Sequence, residues 1–138
     1  MYKLAIAAFI LVAGPATARD RNTPPEATPI GEPVSCVSLR SIQSAQVHGD
    51  STIDFHMGGG KVFRNTLPNS CPSLGFEERF LYKTSLSQLC SVDIVTVLTS
   101  PGLSQGASCG LGKFQPVVLV KKTSSADPAL IRHPLKHR

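Results

Sequence analysis

Tryptophan is absent from this sequence, and aromatic residues of every kind make up only 6% of it. Proteins that hold single-stranded nucleic acid stack bases on aromatic rings set among basic side chains, so the scarcity argues against that class. No two cysteines are spaced C-x-x-C, which disfavours a thioredoxin-like redox pair and the common zinc sites. There is no G-x-S-x-G elbow for a serine nucleophile. Gly58-Gly59-Gly60-Lys61 lacks the spacing of a phosphate loop and runs into a strand pattern, so no helix N-terminus would meet an anion there. Glu77 and Glu78 are adjacent, and on a strand they point to opposite faces, which prevents them from flanking one glycosidic bond. Missing as well is an apolar run of the roughly 20 residues that a membrane span needs.

The longest apolar run, Leu4–Ala13, follows Met1-Tyr2-Lys3 and precedes Gly14-Pro15-Ala16-Thr17-Ala18. A cationic start, an apolar stretch and small residues at Ala16 and Ala18 predict a secretory signal peptide over residues 1–18, cleaved after Ala18. No cysteine lies near that point to take a lipid anchor, and the apolar run is too short to span and leaves with the signal, so the mature chain is expected to have no transmembrane segment. All four cysteines, Cys36, Cys71, Cys90 and Cys109, lie beyond it. An even number in a small exported chain predicts a framework of two disulfides and a periplasmic or secreted address.

The net charge of +5 is unevenly placed. Acidic and basic residues cancel between Arg19 and Val120, and the excess lies in Lys121, Lys122, Arg132, Lys136 and Arg138, opposed only by Asp127. A basic terminus predicts at most weak contact with an anionic surface, and no nucleic-acid face. Residues 19–35 carry Pro24, Pro25, Pro29 and Pro33, which remove donors and fix backbone angles. They read as an extended linker outside the fold. Residues 121–138 read as a basic, flexible tail, leaving one β domain over residues 36–120.

Within that domain Thr52–Met57 alternates, with Ile53, Phe55 and Met57 on one face. Gly58-Gly59-Gly60 then turns the chain into Lys61–Leu67. A three-residue loop sets Phe55 against Phe63 inside and Asp54 against Arg64 outside, whereas a two-residue loop would bury Arg64. Upstream, a strand over Leu39–His48 turns at Gly49-Asp50-Ser51, placing Val47 opposite Ile53 and Ala45 opposite Phe55. Further strands are predicted over Glu77–Thr84, Val92–Leu98 and Leu111–Val120, the last broken at Pro116. Cys71–Gly75 and Ser85–Leu89 read as connectors, the second with scope for one helical turn. Six short antiparallel strands with many turn residues favour a small barrel or half-barrel over a sandwich. If they form a simple meander, Cys36 and Cys90 meet at one end and Cys71 and Cys109 at the other, one of three possible connectivities.

A family likeness rests on Cys36-Val37-x-Leu39, Thr52-Ile53-Asp54-Phe55, Arg64-Asn65-x-Leu67 and Cys71-Pro72-x-Leu74. It continues through Leu89-Cys90-Ser91-x-Asp93-Ile94-x-Thr96-Val97 and Cys109-Gly110-Leu111-Gly112-x-Phe114-x-Pro116. Over Cys36–Val117 the chain resembles a family of small exported bacterial proteins classed as a domain of unknown function. The resemblance implies a periplasmic or secreted bacterial protein and carries no activity or cofactor.

Asp93, beside Cys90 on an apolar strand, is the candidate functional residue. Its simplest role is to accept backbone or Ser91 hydrogen bonds where the strand begins; the sharper alternative is a buried acid with a raised pKa. His48 should face Thr52, with His56 outward and too distant to share an ion. His133 and His137 are four apart but separated by Pro134. No metal, cofactor or catalytic set is therefore assigned. The reading is a non-enzymatic binding or envelope-accessory module for a protein, peptide or glycan. Two alternatives remain: a small hydrolase using Asp93 with a serine, and a polyanion- or metal-binding protein acting through the tail.

Overall fold

The computed structural model describes residues 20–121, Ser85 excepted. Among them are ten strands: β1 (Ala27–Pro29), β2 (Cys36–Ser38), β3 (Ile42–His48), β4 (Thr52–Met57) and β5 (Val62–Thr66), then β6 (Phe80–Tyr82), β7 (Gln88–Cys90), β8 (Ile94–Thr99), β9 (Ser104–Gly110) and β10 (Phe114–Leu119). One helical turn, α1 (Leu74–Glu77), separates β5 from β6. All pairings are antiparallel. The strands form a five-stranded sheet in the order β1-β10-β5-β4-β3, a two-stranded sheet β2-β7, and a three-stranded sheet β6-β8-β9.

The barrel expected from the sequence does not close. Pro68 and Cys71-Pro72 interrupt the chain after β5, and β6 starts a separate sheet instead of extending the first. Side chains from the sheets converge on one core: Ile53 and Phe55 from β4, Val95 and Val97 from β8, Leu89 from β7 and Phe114 from β10 are fully buried. Phe55 meets the edges of both Phe114 (5.5 Å between centroids) and Phe80 (6.4 Å), linking the two larger sheets.

Both central hairpins keep the register that the glycine turns and apolar alternation dictate. Phe55 pairs with Phe63 and Asp54 with Arg64, while Val47 pairs with Ile53 and Ala45 with Phe55. Gly59 and Gly60 take φ of 78°, the left-handed backbone the short loop requires. Both disulfides also pair as the meander implied, Cys36 with Cys90 and Cys71 with Cys109. Cys36 and Cys90 lie directly opposite each other in the β2-β7 ladder.

Other expectations need correction. The proline-rich stretch is not outside the fold: β1 pairs with β10, and Val120 N–H donates to the Glu26 carbonyl. Pro116 does not break the last strand. Its carbonyl accepts from Ile30, so its backbone faces the β1 side, and its missing N–H leaves the ladder with β5 intact. Gln88–Cys90 is a strand, and the expected strand over Glu77–Thr84 gives way to the end of α1 followed by the shorter β6. The predicted signal peptide lies outside the described residues, as does the tail beyond Lys121.

Between β9 and β10 the chain crosses from one sheet to the other, and Asn65 holds the crossing. Its fully buried amide donates to the Gly112 carbonyl at 2.7 Å and accepts from the Gly112 N–H at 2.9 Å. Gly112 is obligatory, because a Cβ there would lie 2.2 Å from the Thr66 carbonyl oxygen. Asn65→Leu, which leaves both Gly112 groups unpaired, should lower unfolding stability by about 2–4 kcal/mol in urea titration. A loss below about 1 kcal/mol would show that the crossing is held by something else.

Candidate functional site

Asp93 ends the turn between β7 and β8. Its carboxylate accepts the Cys90 N–H at 2.7 Å, its own N–H donates to the Cys90 carbonyl at 3.0 Å, and its carbonyl accepts from Leu111. These bonds fix the turn that passes the chain from the disulfide-clamped sheet into the next one. Asp93 thus accepts a backbone hydrogen bond where the strand begins. A shallow groove beside it is lined by Leu81, Lys83, Val92, Ile94, Gln105 and Ser108 among others. Ser108 Oγ lies 2.9 Å from Thr96 Oγ1. No histidine lines the groove, so Asp93 and Ser108 have no imidazole between them.

Both histidines of the described residues lie on the other large sheet. His48 faces Thr52, and His56 faces Ser44 on one side and Val62 on the other. Between them stands Asp54, fully buried and gripped by two nitrogens of Arg64 at 2.7 and 2.8 Å. The Asp54 hydrogen bond holds the Arg64 guanidinium above its ordinary pKa; burial opposes this, and the carboxylate's charge reinforces it. Arg64 also donates to the Pro25 carbonyl at 2.9 Å, so the segment before β1 lies against this face of the sheet. The sequence supplied the Asp54–Arg64 pairing but placed it in solvent, because the covering segment was read as a linker.

His48 Nε2 lies 3.2 Å from Asp54 Oδ2 without hydrogen-bond geometry, and His56 Nε2 is buried without a partner. Among the described residues, no group of three or more His, Cys, Asp or Glu side chains is placed to hold a metal ion. His133 and His137 fall outside the described residues. Through Arg64, the Asp54–Arg64 pair latches the N-terminal segment to this sheet.

A different feature emerges at α1. Ser73, Glu78 and Leu103 are the only non-glycine residues with positive φ among those described, at 66°, 51° and 57°. Two of them flank α1 and the third ends the turn between β8 and β9. These two loops are tied together: the Ser100 N–H donates to Glu77 Oε2 at 3.1 Å, and Arg79 donates to Ser100 Oγ. Each exposes a large apolar side chain, Phe76 at 86% and Leu103 at 54%.

Phe76 is held out by a rigid base. Leu74, two residues earlier, is fully buried, and the Gly75 N–H donates to Asp50 Oδ1 at 2.8 Å. Gly75 packs so closely that a Cβ would lie 2.7 Å from the Gly49 backbone. Cys71, just upstream, is disulfide-bonded and donates its N–H to the Asp50 carbonyl. A groove runs from the Phe76 ring past Asp50 and Glu78 to Arg21 and Asn22. Sequence reasoning passed over this tip; the only signal was a phenylalanine standing between Gly75 and Glu77-Glu78.

Comparison with family models, with curated proteins and with solved structures found no match.

Arg64→Met strips the partner from a buried carboxylate and should cost about 3–5 kcal/mol in chemical denaturation. It should also speed amide exchange at Val120, whose acceptor lies in the latched segment. Adding Asp54→Asn should recover part of the loss, giving a positive coupling in a double-mutant cycle. A loss under about 1 kcal/mol with unchanged exchange would contradict the latch.

Proposed function

We propose that this chain is an exported, periplasmic or secreted module that binds a partner protein without turning over a substrate, and that Phe76 and Leu103 form its contact. The reading rests on one observation: the positive-φ residues outside glycine cluster in two tethered loops that each hold an apolar side chain in water. Backbone in this region costs about 1–3 kcal/mol per residue and persists only where the surroundings enforce it. Phe76 in water also forgoes about 1.5–3 kcal/mol of burial free energy. An interface that covers it recovers that term with little loss of entropy, because the turn is already ordered.

The export half of the proposal draws on the signal pattern, on two disulfides that fit an oxidising compartment, and on the family resemblance. No helix of the described residues is long and apolar enough to cross a membrane.

Phe76→Ser with Leu103→Ser should shift unfolding stability by no more than about 0.5 kcal/mol, since both side chains are exposed. The same variant, immobilised in an extract of the exporting compartment, should lose a protein that the unaltered mature chain retains in stoichiometric amount. Truncation after Lys121 should keep it, which separates this contact from tail-driven adhesion. Retention by the double variant, loss on truncation, or turnover of a small molecule would each overturn the proposal.

A further inference from the structure

The strand β9 is the outer member of its sheet, and among the described residues nothing pairs with its free side. Its seven residues, Ser104-Gln105-Gly106-Ala107-Ser108-Cys109-Gly110, carry no charge and no proline, and most are exposed. Edge strands normally carry such devices to repel a second strand. The one present here is an irregularity between the pairs Thr96–Ser108 and Leu98–Gln105, which leaves the segment 108–110 regular.

The direction of the backbone groups follows from the ladder. Leu111 N–H donates to the Asp93 carbonyl, and the register sets Val95 opposite Cys109. By alternation, the Cys109 backbone faces β8, and the N–H and C=O groups of Ser108 and Gly110 face outward. We propose that this edge pairs with the same edge of a second copy of the chain, antiparallel, about a twofold axis through Cys109.

Only such an arrangement sets Ser108 of each copy opposite Gly110 of the other, so that four backbone hydrogen bonds form between identical segments. Nothing in the segment opposes it. Both sides are uncharged, and no side chain of Gly110 stands on the sheet face beside the joint, where the space around a Cβ is open. Ile94, which is opposite Gly110 and 54% exposed, would then lie beside the incoming strand. The Cys71–Cys109 disulfide anchors the centre of the edge to the rest of the domain. Two joined sheets would carry two Phe76 tips, so the proposed partner contact would become bivalent.

Sedimentation equilibrium of the full mature chain, from about 1 μM to 1 mM, tests the pairing. The expected result is a reversible monomer–dimer equilibrium with Kd of about 10 μM to 1 mM, suited to an interface below standard size. Ser108→Pro removes one outward donor from each copy, two of the four hydrogen bonds, and should weaken it at least tenfold. Ser108→Lys keeps the backbone donors but brings like charges together, so it should weaken the dimer at low salt and recover at high salt. Amide exchange at Ser108 and Gly110 should slow as concentration rises. A chain that stays monomeric at 1 mM, or a dimer that neither substitution weakens, would overturn the proposal.

Discussion

Three small sheets share one core because two covalent links leave them little alternative. Strands of three residues, such as β2, β6 and β7, are too short to be stable alone, and a two-stranded ladder is marginal in water at best. Cys36–Cys90 closes the ladder of the smallest sheet, and Cys71–Cys109 joins the chain beyond β5 to the outer strand of the third. With closures spanning 54 and 38 residues, each link stabilises the fold by about 4 kcal/mol in the chain-entropy account. A domain of this size has about 5–15 kcal/mol in total, so the links are comparable with the net stability itself.

The exposed tip depends on the same constraint. Cys71 anchors the chain three residues before the buried Leu74, and together with Asp50 they leave α1 a single orientation. From that base Phe76 has no route into the core, which Phe55, Phe80 and Phe114 already fill. The Asp54–Arg64 pair plays a comparable part across the molecule, converting a proline-rich segment into a covering layer. Elsewhere, the Asp93 carboxylate fixes its own turn, and the Asp54 carboxylate is held by Arg64.

How legible this was in the sequence depended on the range of the interaction concerned. The two central hairpins were readable because glycine turns and period-two alternation are local, and slipping the loop by one residue would have buried Arg64. The disulfide pairing came out as expected although its premise did not: the strands form three sheets and not one meander, and Cys36 meets Cys90 inside a ladder of their own. β9 was not readable, since Ser-Gln-Gly-Ala-Ser carries none of the β-branched or aromatic residues that mark strands; it is held by its neighbour and by Cys109. β1 was hidden by prolines whose missing donors harm only an edge. The barrel failed because closure is a long-range property, and the sheet broken between β5 and β6 leaves no periodic trace. Phe76 escaped notice because exposure is invisible to a pattern that asks only where apolar residues recur.

The most direct test of this account is peptide mapping by mass spectrometry of the purified mature protein, digested without reduction and with free thiols blocked. Linked peptides should join Cys36 to Cys90 and Cys71 to Cys109, with no blocked thiol at any of the four. Recovery of Cys36 joined to Cys71 or Cys109, or of four blocked thiols, would contradict it.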